Sequence, residues 1–149
     1  MSGKNVFIGA DHGGYQLKEA IIGHLRSAGC VVTDLGTHSN ASCDYPLYAQ
    51  AVCREVSTQN AFGILVCGSG IGMSMTANKF PGIRAALCGN EYLARMSRMH
   101  NDANVLCLGE RVLGTGLALA IVDAFFGAEF EGGRHQRRID QMEPAGNPS

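Results

Sequence analysis

Phe62-Gly63-Ile64-Leu65-Val66-Cys67-Gly68-Ser69-Gly70-Ile71-Gly72 reads as a buried β-strand that runs straight into a glycine-rich turn and then a helix. The strand reading follows from a short apolar run bounded by turn residues. Such a junction leaves unpaired N–H groups and the positive end of a helix dipole at the strand's carboxyl end. Cys67 therefore sits where backbone amides can converge on an anion, a setting that favours a thiolate. A cysteine is more often a small buried hydrophobe, and it is the Gly-Ser-Gly-x-Gly neighbour that sets this one apart. No Lys-Ser/Thr pair follows the loop, so it is not a P-loop, and it does not match the dinucleotide fingerprint. Taken alone, its glycines suit a tight turn as well as an anion cradle.

Working outward, short apolar runs recur at Val6 to Ile8, Val31 to Leu35, Ile83 to Cys88 and Val105 to Leu108. Longer segments of helical periodicity separate them. This alternation predicts an α/β fold with a five-stranded parallel sheet and helices on both faces. In the first helical segment Leu17, Ala20, Ile21, Leu25 and Ala28 form the apolar stripe, Lys18, Glu19 and Arg26 face elsewhere, and Gly29 stops the helix. A second helix is expected from near Pro46, a third from the glycine-rich segment to before Pro81, a fourth from about Glu91 to Met99 and a fifth from about Gly116 to Phe126. Arg134 to Arg138 forms a basic patch on a short last helix, and Glu143 to Ser149 reads as a frayed tail.

The length of 149 residues fits one domain, residues 1–149, with no repeat or linker to divide it. A formal net charge of −1 gives no global attraction to nucleic acid or an anionic membrane, and the absence of tryptophan offers no platform for stacking bases. Without a long apolar run or a signal-like start, the chain reads as cytoplasmic. Its six cysteines contain no Cys-x-x-Cys spacing, so they read as reduced thiols rather than disulfides or zinc ligands. No metal is expected.

Ligands of open parallel sheets bind beyond the carboxyl ends of the strands. That edge should carry Asp11-His12, Cys67 with its loop, Cys88-Gly89-Asn90 and Gly109-Glu110-Arg111. Asp11 also suits a helix cap and Gly13-Gly14 an ordinary turn, whereas an imidazole at a helix start can donate to a phosphate or hydroxyl. His100-Asn101-Asp102 ends the fourth helix and reads as a polar terminus or as part of a site, if the fold brings it round. Arg134 and Arg138, four apart, share a helix side suited to a phosphate or to solvent.

In joint order and spacing, Gly9-Ala10-Asp11-His12-Gly13-Gly14, Asp44-Tyr45-Pro46, Cys67 to Gly72, Ala77-Asn78-Lys79, Gly82-Ile83-Arg84-Ala85, Ser97 to Val105 and Glu131-Gly132-Gly133-Arg134-His135 closely resemble ribose-5-phosphate isomerase type B over about residues 4–140. The resemblance implies a Rossmann-like three-layer α/β/α domain and a homodimer with active sites across its interface, with a tetramer left open. It also implies metal-independent, cofactor-free interconversion of ribose 5-phosphate and ribulose 5-phosphate.

By that resemblance Cys67 matches the base, His100 the residue that assists ring opening, and Ser69 a hydroxyl that shuttles protons between the sugar oxygens. Asp11, His12, Gly68, Ser69, Gly70, Ile71, Gly72 and Asn101 match sugar contacts. Arg134 and Arg138 match phosphate ligands, and Arg111 a further binding arginine. Family members that lack the cysteine place a glutamate where this chain has Met73, Ser74 and Met75, which makes it the cysteine subtype. The glycine loop alone would have been assigned the phosphate. The resemblance instead puts the reacting end of the sugar there and the phosphate near His12 and the arginines. His135 and Arg137 stay undecided between supporting and surface roles. An isomerase of six-carbon sugar phosphates is the nearest rival, and a non-catalytic phosphosugar-binding module the more distant one.

Overall fold

The computed structural model describes residues 1–144. Five strands, β1 (Asn5–Ala10), β2 (Val31–Asp34), β3 (Phe62–Cys67), β4 (Ala85–Leu87) and β5 (Val105–Gly109), form one parallel sheet in the order β2-β1-β3-β5-β4. The helices between and after them are α1 (Tyr15–Ser27), α2 (Tyr45–Gln59), α3 (Ile71–Ala77), α4 (Glu91–Met99), α5 (Thr115–Phe126) and α6 (Arg134–Ile139).

The three central strands are buried on both faces, which is why they read as continuous apolar runs rather than alternating ones. Alternation still decides which face each residue serves. Val6, Ile8, Ile64, Val66, Leu106 and Leu108 join one core layer with residues of α1 and α5. Phe7, Leu65, Cys67, Val105 and Cys107 join the other, under α2 and α3. The three-layer α/β/α expectation is met. Because α1 leaves β1 toward one face and α3 leaves β3 toward the other, the chain parts to opposite faces between β1 and β3, the place where ligands of such sheets bind.

Three local readings need correction. Lys18 does not face solvent: it is fully buried, and its Nζ donates to Asp34 Oδ2 at 2.8 Å and Glu19 Oε1 at 2.8 Å. The helical stripe alone could not reveal this, because the partner Asp34 lies at the end of β2. Lys18→Ala leaves the Asp34 carboxylate without its cation in a mostly buried setting, so it should cost about 3 kcal/mol, with Lys18→Met losing less because it keeps the stem packing. Equal midpoints for wild type and Lys18→Ala in urea unfolding would refute this account.

The fourth strand is shorter than the apolar run from Ile83 to Cys88 suggested. It is an edge strand whose outer backbone is taken by a side chain. Asn78 Nδ2 donates to Ala85 O at 3.0 Å and Asn78 Oδ1 accepts from Ala85 N–H at 2.9 Å, covering an edge that would otherwise invite pairing. Finally, Glu143 is not frayed, since its Oε1 accepts from Gly82 N–H at 2.9 Å. Residues 145–149 of the expected tail lie outside the described residues.

Candidate active site

The first group of expected site residues lies at the carboxyl edge of the sheet. Cys67 ends β3, and its Sγ accepts from Gly70 N–H at 3.1 Å, an electrostatic complement to a thiolate. Gly70 makes the approach possible: its φ of +82° opens α3, and a Cβ there would lie 2.5 Å from Leu87 Cδ1. The Gly68 and Ser69 amides make no hydrogen bond among the described residues, so they remain available as donors. Ser69 is exposed, and its Oγ accepts from Ile71 N–H at 3.2 Å. Cys67 itself is only 5% exposed and packs in the α2/α3 core layer with Leu65 and Met73. Three other cysteines are packed away from this edge's chemistry by burial. Burial pushes Cys53 up to about 12 and Cys88 up to about 11, and holds Cys107 well above the ordinary thiol range.

The loop after β1 abuts this one. A Cβ on Gly13 would meet Gly68 N at 3.1 Å, and one on Gly14 would meet Val66 O at 2.4 Å, so both glycines are needed for the two loops to touch. Asp11 does not cap α1. Its Oδ1 accepts from Gly13 N–H at 2.9 Å, while Glu110 Oε1 accepts from Leu17 N–H in the first turn of α1 at 2.6 Å. His12 Nδ1 accepts from Cys43 N–H at 3.2 Å, which leaves Nε2 to carry the proton of a neutral ring as a donor. Arg111 lies over Gly68, with Nη1 3.0 Å from where a Cβ would stand. Asp11, Cys43, Asp44, Tyr45, Pro46 and Leu47 line an open cleft, and Tyr45 covers Gly72 so closely that no side chain fits there.

The second group lies at the opposite edge. His100 and Asn101 follow α4 and precede β5, whose first residue, Val105, pairs with Gly63 near the start of β3. Four residue steps separate Gly63 from Cys67, about 13 Å of strand, so the chain does not bring His100 round to its own Cys67. The turn is held firmly where it is. Arg84 Nε donates to Asn101 O at 3.1 Å and Asp102 O at 3.0 Å, and the mostly buried Arg98 donates to Asp102 Oδ1 at 2.8 Å. Met99 O accepts from Glu131 N–H at 3.0 Å, which fastens α6 beside it.

Arg134 and Arg138 are exposed, and neither is in an ion pair among the described residues. His135 is buried, and its ring stacks on that of His100 with centroids 4.3 Å apart and planes 11° apart. Burial, then His100 and Arg134, push the His135 imidazole below its usual range. The closeness of Glu131, His135 and His100 was not read from the sequence; the i,i+4 spacing of Glu131 and His135 was a visible hint, but the tether to Met99 was not.

Comparison with known proteins decides the family. Residues 6–142 match the family model described as Ribose/Galactose Isomerase. The chain belongs to this family. It is 50% identical over 140 residues to the Escherichia coli protein named ribose-5-phosphate isomerase B, covering 93% of this chain and 94% of that one. Among solved structures, ribose-5-phosphate isomerase B of Clostridium thermocellum superposes with a TM-score of 0.91 at 53% identity, covering 93% of this chain and 94% of that one. The isomerase of Thermotoga maritima gives 0.91 at 47% identity over 93% and 96%.

Proposed function

We propose that the protein is an aldose-ketose isomerase that interconverts D-ribose 5-phosphate and D-ribulose 5-phosphate through an enediolate. The observation that carries this reading is the Cys67 sulfur, aligned by the Gly70 amide at the carboxyl edge, in a chain half identical to a named ribose-5-phosphate isomerase. His100 protonates the ring oxygen while Asp11 receives the anomeric hydroxyl proton, giving the open aldehyde. Cys67 as thiolate then takes the proton from C2, whose acidity the carbonyl raises. The Gly68 and Ser69 amides stabilise the enediolate oxygen, the Ser69 hydroxyl moves a proton between O1 and O2, and the sulfur returns its proton to C1. The cycle closes when Asp11 gives up its proton and His100 regains one through solvent. The decisive experiment follows deuterium placed at C2 of ribose 5-phosphate, which should leave C2 and appear at C1 of the ketose or in solvent; a protein that binds the sugar and keeps the label at C2 would sink the reading.

Two protomers complete each site in this proposal, with Cys67, Ser69, Asp11, His12 and Arg111 from one and His100, Asn101, Arg134 and Arg138 from the other. Supporting it are the separation of the two groups across the sheet and exposed apolar side chains near the glycine loop, Ile71, Leu87 and Val112, suited to burial between copies. Among the described residues no helix is long and apolar enough to cross a membrane. All six cysteines are free, which supports a reducing, cytoplasmic location.

Two further outcomes follow. His100→Asn should slow turnover of cyclic ribose 5-phosphate far more than that of ribulose 5-phosphate, which has no furanose ring to open. The comparison is of kcat at saturating substrate, because the equilibrium constant fixes the ratio of the two kcat/KM values for any variant; equal losses of kcat in the two directions would remove His100 from ring opening. Arg134→Ala or Arg138→Ala should raise KM about tenfold or more for a phosphorylated substrate, the worth of one charge-assisted pair. An unchanged KM would mark those arginines as a solvated face. Because the family model spans more than one sugar, kcat/KM for ribose and allose phosphates measured side by side discriminates the five-carbon from the six-carbon reading.

A further inference from the structure

The side chains of His100, Glu131 and His135 bring one ligand atom each to within 4.8 Å of one another. Glu131 Oε1 stands 3.6 Å from His100 Nε2 and 3.4 Å from His135 Nε2. Ligand atoms on a tetrahedral zinc-type ion, with bonds near 2.1 Å, are about 3.4 Å apart. Both distances to the carboxylate oxygen are close to that spacing in the empty site. A second observation points the same way. The His135 side chain is 8% exposed, and its Nε2 is buried without a hydrogen-bond partner among the described residues. Natively, a buried ring nitrogen nearly always has one, and this one faces the same carboxylate.

We propose that His100, Glu131 and His135 form a site for one divalent cation of the zinc type, which removes His100 from proton transfer while it is bound. Two imidazoles and one carboxylate, with a fourth position open to water, match the donor set such ions take, whereas magnesium and calcium prefer oxygen alone. Arg134 and Arg138 on the same short helix oppose any cation, which further disfavours ions held by charge alone. The two rings are stacked within 11° of parallel, so a shared ion requires the half-exposed His100 to reorient while the buried His135 stays in place. The ion is inhibitory and plays no part in turnover. The site stands on its own geometry, and only its effect on turnover rests on the isomerase reading.

The test uses the full chain, freed of metal by chelator, titrated calorimetrically with zinc chloride in a buffer without phosphate. One ion per chain is expected, weakened at least about tenfold in Glu131→Gln and in His135→Asn, the range typical of losses around a metal site. Glu131 is exposed, so its variant keeps the test valid if His135→Asn fails to fold. Cobalt(II) should give visible bands of a tetrahedral nitrogen-oxygen site. Zinc should inhibit the wild type over the same range that fills the site, and Glu131→Gln should escape. Undiminished binding in Glu131→Gln, thiolate-to-cobalt charge transfer at one equivalent, or full turnover with the site filled would each overturn the proposal. Turnover by the metal-free protein tests the isomerase reading separately.

Discussion

Cys67→Ala is expected to bind ribose 5-phosphate about as well as the wild type and to lose nearly all isomerisation, a fall of about a hundredfold to ten-thousandfold in kcat, the usual contribution of one positioned acid-base group. The expectation rests on position as much as chemistry. The sulfur is the last side chain of β3, receives the Gly70 amide, and is shielded from water. Removing one buried sulfur costs about 1 kcal/mol, small against the stability of an ordinary domain, so the variant should fold and the loss should fall on the chemical step. Two readouts separate the cases: loss of a deuterium label from C2 should vanish, while substrate binding by calorimetry should persist. Substantial residual loss of the label would assign the base to another group, and Asp11 on the adjoining loop would become the candidate.

The strands and the exposed loop chemistry were legible because both are local. β3 begins and ends where its apolar run does, and α4 runs from Glu91 to Met99 as its periodicity suggested. Lys18 was not legible, since burial of a lysine is decided by an Asp34 sixteen residues away. Nor was the truncation of β4, which depends on an asparagine side chain imitating a strand. The location of His100 lies between these cases. A helix that connects parallel strands runs back along the sheet, so the end of α4 has to lie at the amino edge, opposite Cys67. The motif showed which residues belong together; direction along the sheet decides that one copy of the chain does not unite them.

That direction leads to the second large effect. Assayed on cyclic ribose 5-phosphate, Cys67→Ala and His100→Asn homodimers should each be nearly inactive, yet mixing them through partial unfolding and reassembly should restore about a quarter of wild-type turnover. In a two-fold dimer each site would draw Cys67 from one protomer and His100 from the other. A mixed dimer then has one site with both defects and one with neither. Random reassortment makes half the dimers mixed, each with one intact site of two, hence the quarter. If both residues of a site came from the same protomer, every site in every dimer would carry one defect, and mixing would restore nothing. Recovery also requires exchange of subunits, which is checked by mass on a tagged and an untagged copy. With exchange demonstrated and turnover still absent, the division of the site between the two edges of the sheet would have to be abandoned.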